Sequence, residues 1–271
     1  LIVVSNMATG FDNIDLPAAS ERSVLVTRTP GVLSETVADF TFALLLAAAR
    51  RIPEADRYVR AGRWRTWEPA ILLGRDVFGA TLGIVGMGGV GAAVAKRARG
   101  FGMRIVYHSN SRKPRLERRY GMTFLPLEEL LRQSDFVTLH VPLTAETRHL
   151  ISRRELGLMK ESAVLVNTSR GSLVDQTALY EALKFGHIGG AALDVTDPEP
   201  IQPEDPLLTL ENVVIVPHVA SASVATREHM AKLAAENLLT ALRGRIPKDT
   251  ANREVAAAWR AARRQRLASL S

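Results

Sequence analysis

Short, continuously apolar runs alternate along this chain with segments whose apolar residues recur at helical spacing. The runs are ATLGIVG (80–86), MRIVYH (103–108), DFVTLHVP (135–142), AVLVNTS (163–169), GGAALDV (189–195) and NVVIVPH (212–218). Between them stand GAAVAKRARGFG, PLEELLRQS, SRRELGLMK and DQTALYEALKFG. An unbroken apolar run suits a strand covered on both faces, and this alternation through six strands predicts a parallel, doubly wound α/β sheet. Ahead of the block, Ser34 is placed to cap a long helix, ETVADFTFALLLAAARR, with Glu35 in its first turn. Segment 62–76, GRWRTWEPAILLGRD, carries Gly, Pro and two Trp and reads as loop. After the block, a helix from about Thr226 to Leu242 is predicted to stop at Gly244, with Pro247 beyond it. Residues 1–30 hold a short helix between LIVV and VLVTRTP and read as the remnant of a second, smaller domain.

Composition narrows the class. The chain has 271 residues, 46% apolar and 23% charged, which is ordinary for a globular protein with a sizeable core. It has no cysteine, which excludes disulfides, thiol nucleophiles and thiolate metal sites; no metal is expected. The longest apolar run, FTFALLLAAA, is too short to span a bilayer and follows Asp39, so it reads as a buried helix and no membrane partner is expected. The net charge of +7 owes much to WRAARRQR near the end, read as a solvated or frayed helix. A basic tail without a clustered face of base-reading groups predicts no nucleic-acid role. The chain opens with Leu1 in a strand-like run, so its natural N-terminus is expected to be missing and no targeting signal can be read.

Candidate chemistry begins at the first strand of the block. It ends in Gly86-Met87-Gly88-Gly89-Val90-Gly91, a G-x-G-x-x-G turn opening a helix. Gly86 permits the tight turn, Gly88 lets a pyrophosphate approach the backbone, Gly91 lets helix and strand pack closely, and the helix N-terminus favours the anion. A lone glycine loop is weak evidence. Flanked by strand and helix, with a second strand on schedule, it predicts dinucleotide binding, with all six residues in the cradle. At the end of that second strand an Asp or Glu is usual, to hold the ribose hydroxyls. Here stand Ser109 and Asn110, then Arg112 and Lys113. These donors and charges would welcome a 2′-phosphate, so NADP(H) is favoured and NAD(H) is possible; a solvated basic loop is the bland alternative.

Three polar residues follow strand ends, where ligands of open α/β sheets sit: Arg170, Glu199 and His218. Each alone reads as an ordinary loop residue; together, beside a dinucleotide loop, they make a plausible chemistry. The segments around them, NTSRG (167–171), LDVTDPEP (193–200) and PHVASAS (217–223), resemble the signatures of the D-isomer-specific 2-hydroxyacid dehydrogenases. SNMATGFDNID (5–15), RTPGVLSETVADFTFALLLAAARR and the GMGGVG loop resemble the same family, and the likeness runs to NREV (252–255). Within it, SNMATGFDNID, HSNSRKPR, the paired Trp64 and Trp67 and the terminal NREV are most similar to the glyoxylate/hydroxypyruvate reductase branch.

The resemblance implies a catalytic Arg170, Glu199 and His218. His218, as imidazolium, can donate a proton to a carbonyl oxygen that gains negative charge. Glu199 can bond the other ring nitrogen, and the planar fork of Arg170 suits a carboxylate. Asp197 competes with Glu199 for His218, but the family places the acid directly before the second Pro. Asp194 resembles the position that contacts the nicotinamide amide; bonding to local backbone is an equal alternative. Further cofactor contacts are implied for Val141, Pro142, Thr147, Thr168 and Ser169. Thr9 and Gly10 match the loop whose amides hold the substrate carboxylate, with a glycine turn as the alternative. Trp67 resembles an aromatic that reaches a neighbouring subunit, with packing on its own chain as the alternative.

The implied protein is a cytoplasmic homodimer that reduces small 2-oxo acids, glyoxylate to glycolate and hydroxypyruvate to D-glycerate. The expected organisation is a remnant of the substrate domain over 1–29, a Rossmann-type dinucleotide domain over 30–219, a return to the substrate domain over 220–255 and a basic tail over 256–271. Two departures stand out: Gly89 replaces the family's usual Arg, and an N-terminal segment of the family's substrate domain is expected to be missing. The rival readings are an NAD-linked dehydrogenase of other specificity, a cofactor-sensing corepressor and a poorly active fragment. A formate-type enzyme would carry Gln in place of Glu199.

Overall fold

The computed structural model describes residues 1–268, with side chains described through Gln265. Contacts divide the chain into two compact units: Leu1–Leu33 with the segment from Ser221 onward, and Ser34–Ala220. The first unit opens with β1 (Val3–Ser5), α1 (Leu16–Glu21) and β2 (Leu25–Thr27). The second holds α2 (Ser34–Ala49), α3 (Ile52–Arg60), β3 (Thr81–Val85), α4 (Gly89–Ala98), β4 (Arg104–His108), α5 (Pro114–Tyr120), β5 (Thr123–Phe124), α6 (Leu127–Gln133), β6 (Phe136–Leu139), α7 (Arg153–Leu156), β7 (Val164–Asn167), α8 (Gln176–Lys184), β8 (Gly190–Leu193) and β9 (Val213–Ile215). The chain then returns to the first unit with α9 (Val224–Leu242) and α10 (Ala256–Ala268).

The sheet of the larger unit is wholly parallel, in the order β5-β4-β3-β6-β7-β8-β9. This is the doubly wound arrangement, reversing direction between β3 and β6, with one strand added at the far edge. Successive side chains of a strand point to opposite faces, and the core divides accordingly. Leu82, Ile84, Phe136, Val164 and Val166 meet Phe42 and Leu45 of α2 and Val94 of α4. Val85, Val137, Leu139 and Leu165 meet Leu130 of α6, Leu156 of α7 and Leu179 of α8. Burial of each such side chain contributes about 1.5–3 kcal/mol, which is why both faces must be covered. Every strand runs the same way, so the loops after β3, β6, β7, β8 and β9 gather at one edge, the edge where open α/β sheets take ligands.

Several boundaries differ from the sequence expectation. Seven strands form the sheet; β5 has two residues, too few to carry a period. Ser34 is the first residue of α2 instead of its cap, and the helix ends at Ala49. Arg51 takes a left-handed φ of 51°, and with Pro53 behind it a new helix, α3, begins. Only Arg153–Leu156 of SRRELGLMK is helical, opened by a capping box between Ser152 and Glu155. The polar loop after β4 runs directly into α5, with Pro114 in its first turn.

In the smaller unit, β1 and β2 pair in parallel. Against the expectation of a frayed or solvated tail, α10 packs here: Trp259 is fully buried with Val3, Leu25 and Ala241. Its Nε1 donates to the Ile2 carbonyl at 2.7 Å. One large indole, with its polar atom satisfied, offsets the surrounding arginines. Residues 269–271 of the expected tail lie outside the described residues.

Candidate active site

The glycine turn follows from close approaches. Gly86 has φ 99°, and a Cβ there would lie 2.6 Å from the backbone of His140. A Cβ at Gly91 would drive into the Gly86 carbonyl, whereas one at Gly88 would meet nothing within 4 Å. Helix α4 therefore starts tight against its strand, with open space over Gly88 at its N-cap. That cradle fits a pyrophosphate. Met87 is buried, Val90 is half-buried, and a side chain at Gly89 would press on the Ser34 hydroxyl at 2.9 Å.

His140, the residue after β6, supports this turn. Its amide donates to the Val85 carbonyl at 2.7 Å. Burial drives its imidazole down to about 3, so the ring is neutral.

Beyond β4, the expected phosphate loop is tied to itself. Ser109 Oγ donates to the Ser111 carbonyl at 2.7 Å and Lys113 Nζ to Ser111 Oγ at 2.8 Å; Asn110 is exposed. Arg112 forks onto Glu117, with Nη2–Oε2 at 2.7 Å and Nε–Oε1 at 3.2 Å. Tyr107 also donates to Glu117, at 2.6 Å. Arg112 and Tyr107 together hold the Glu117 carboxylate below its ordinary range. Arg112 stays exposed, but its charge already has a partner on α5.

The loop after β6 carries Val141, Pro142 and Thr147. Thr147 Oγ1 donates to the Pro142 carbonyl at 2.7 Å and accepts from the Thr144 amide at 2.8 Å, closing its own turn. After β7, buried Asn167 shapes the arginine turn: it donates to the Arg170 carbonyl at 2.7 Å and accepts from the Ser169 amide at 3.0 Å. Ser169 Oγ donates to the Val141 carbonyl at 2.7 Å. Thr168 lies 3.0 Å from Thr41 of α2, hydroxyl to hydroxyl. Arg170 Nη1 donates to the Ser169 carbonyl at 2.7 Å.

Glu199 and His218 meet. His218 Nδ1 lies 2.6 Å from Glu199 Oε1, and both side chains are a little under half exposed. His218 has φ 52°, an uncommon conformation for a residue with a Cβ. Asp194, 1% exposed, fixes it: its carbonyl accepts from the His218 amide at 2.8 Å, and its carboxylate accepts from Val219 at 2.7 Å and Ala220 at 3.0 Å. Burial pushes the Asp194 carboxyl up, and those two amides pull it partly back. Asp197, the competing partner for His218, accepts instead from Ser172 Oγ at 2.5 Å. Thr9 and Gly10 lie in the smaller unit; Thr9 Oγ1 donates to the Thr29 carbonyl at 3.1 Å, and the Gly10 carbonyl accepts from Asn6 at 2.9 Å.

Residues 42–220 match the family model described as D-isomer specific 2-hydroxyacid dehydrogenase, NAD binding domain. The chain is 59% identical over 256 residues to the glyoxylate reductase of Korarchaeum cryptofilum, an alignment covering 94% of this chain and 77% of that protein. The chain belongs to the D-isomer-specific 2-hydroxyacid dehydrogenase family. Among solved structures, the TT0316 protein from Thermus thermophilus is 54% identical with a TM-score of 0.87, covering 93% of this chain and 79% of that one. An NADPH-dependent glyoxylate/hydroxypyruvate reductase from Sinorhizobium meliloti is 36% identical with a TM-score of 0.83, covering 93% and 79%.

As an NAD(P)-dependent 2-hydroxyacid dehydrogenase, the enzyme takes a nicotinamide dinucleotide, and the open cradle over Gly88 fits its pyrophosphate. Among the described residues no cluster of His, Asp and Glu is arranged to hold a metal, and no helix is long and apolar enough to cross a membrane. Four residues that shape the candidate site carry no motif of their own in the sequence: His140, Asn167, Ser172 and Glu117. His140 stood in plain view in DFVTLHVP but read only as strand. Asn167 ended the run AVLVN, where a buried amide is itself a signal for a turn-maker.

Proposed function

We propose that this dehydrogenase reduces small 2-oxo acids, glyoxylate to glycolate and hydroxypyruvate to D-glycerate, with NADPH as reductant. The observation that carries the reading is the 2.6 Å contact between His218 Nδ1 and Glu199 Oε1. A carboxylate on Nδ1 holds that nitrogen as the N–H, so in the imidazolium the transferable proton is on Nε2. A nicotinamide dinucleotide held over Gly88 would supply a hydride to the carbonyl carbon. His218 Nε2 gives its proton to the carbonyl oxygen, and the neutral Nδ1–H tautomer stays bonded to Glu199. Arg170, on the turn set by Asn167, grips the substrate carboxylate and polarises the carbonyl. The names of the relatives, a glyoxylate reductase and an NADPH-dependent glyoxylate/hydroxypyruvate reductase, support the substrate class.

The NADPH preference rests on the absence of any acid between Ser109 and Lys113 and on the donors there. One observation favours NADH instead: the Arg112 charge is already balanced by Glu117. We also propose a homodimer built on the larger unit, supported by Trp64, Trp67 and Leu73, which leave 64%, 76% and 66% of their surface exposed on one loop. The test is fluorescence titration with NADPH and NADH, followed by glyoxylate turnover in wild type and His218→Ala. Tighter NADPH binding, with turnover falling roughly 100- to 10,000-fold in the variant and cofactor affinity unchanged, is expected. Near-normal turnover in His218→Ala would remove the histidine from the mechanism, and tighter NADH binding would favour the NAD-linked reading.

A further inference from the structure

Asp197 stands two residues before Glu199, yet its bonds go elsewhere. It is the meeting point of three loops at the sheet edge. Ser172, two residues past Arg170, donates to Asp197 Oδ2 at 2.5 Å. Arg148, from the loop after β6, reaches the same oxygen at 3.5 Å. The Asp197 amide donates to Gln176 Oε1 at 3.0 Å, and Gln176 Nε2 is anchored on Asp205 at 2.7 Å. The Ser172 carbonyl also accepts from the His149 amide at 2.8 Å, which joins the first two loops. A Cβ at Gly171 would strike the Thr196 carbonyl, so the arginine turn lies flat against the backbone just before Asp197. Thr196 Oγ1 donates across to the Pro198 carbonyl at 2.8 Å.

We propose that Asp197 is a positioning residue: through Ser172 and Arg148 it clasps the Glu199 loop to the arginine turn, and so sets Glu199 against His218. This inference rests on the functional reading above. The arginine turn has its own fastening in Asn167, which bonds both the Arg170 carbonyl and the Ser169 amide. Gln176 holds the backbone at Asp197 but does not tie the loop to the arginine turn, so loss of the clasp shifts Glu199 and leaves Arg170 in place. A misplacement of about 1 Å in a reacting geometry costs on the order of 100-fold in rate.

The test is the single-turnover rate of NADPH oxidation by glyoxylate, with KM and cofactor affinity, in Asp197→Ala, Asp197→Asn, Ser172→Ala and Glu199→Gln, alone and combined. Asp197→Ala should slow the rate roughly 10- to 100-fold with KM and cofactor affinity nearly unchanged. Asp197→Asn, which keeps an oxygen for Ser172, should recover most of that loss. In the Glu199→Gln background, Asp197→Ala should add almost nothing, because the residue acts through Glu199. Full multiplication of the two defects, or an unchanged rate in a folded Asp197→Ala, overturns the proposal. If Asp197→Ala does not fold, Ser172→Ala is read by the same criteria. A wild-type rate in Glu199→Gln itself would bring down the His218–Glu199 reading, which is a different failure.

Discussion

Asp194 carries the backbone on which His218 stands. Its carbonyl takes the His218 amide, and its two carboxylate oxygens take the next two amides, Val219 and Ala220. Three successive N–H groups thus converge on one buried residue, which lets a non-glycine residue hold φ 52°. Asp194→Asn turns one acceptor into a donor facing a donor. It should lower unfolding stability by about 1–3 kcal/mol and slow turnover, both read on the same preparation by thermal melting and glyoxylate reduction. An unchanged melting temperature and rate would show that the carboxylate is dispensable to the turn.

Arg112 is exposed yet forked onto Glu117, so any 2′-phosphate must compete with that carboxylate. Arg112→Ala should weaken NADPH binding about 10- to 100-fold and leave NADH binding within a few-fold, since a charge-assisted bond is lost from one cofactor alone. Glu117→Gln should move discrimination the other way, toward NADPH. Equal effects on both cofactors in titration would assign the loop to solvent.

His140 should make the fold acid-sensitive. Its folded value, about 3, lies below the ordinary 6.5, so the unfolded chain binds the extra proton first as pH falls. The stability involved is present above about pH 6.5 and is lost progressively toward pH 3. By pH 4.5 the loss is on the order of 2–3 kcal/mol. Urea unfolding at pH 7 and 4.5 should show a smaller pH-dependent difference in His140→Gln than in wild type. The same difference in both would mean that the ring protonates in the folded state.

Trp259 closes the core of the smaller unit and donates to Ile2. Trp259→Ala should cost that unit about 3–5 kcal/mol, seen as faster amide exchange in β1 and β2 with β3 and β6 unaffected. Unchanged exchange in β1 would show that the indole does not hold the strand.

The parts of this protein legible in its sequence are those with a local physical cause. Continuous apolar runs mark strands covered on both faces, because one period serves the whole element; β5, with two residues, has no period to read. The glycine turn was legible because Gly86 and Gly91 answer to constraints within a single strand–turn–helix. Family-like segments put Arg170, Glu199 and His218 at strand ends, and it is the family pattern, not the residue types, that favours Glu199 over Asp197 as the partner of the imidazole. Asp197 and Glu199 are two residues apart with similar chemistry. The folded loops supply the physical reason: Ser172 holds Asp197, and Glu199 stands against His218. Likewise Asp194 meets Val219 and Ala220 across 25 and 26 residues, and Trp259 meets Ile2 across 257. No local pattern encodes such a pair, because each partner's position is set by the packing of the elements between them.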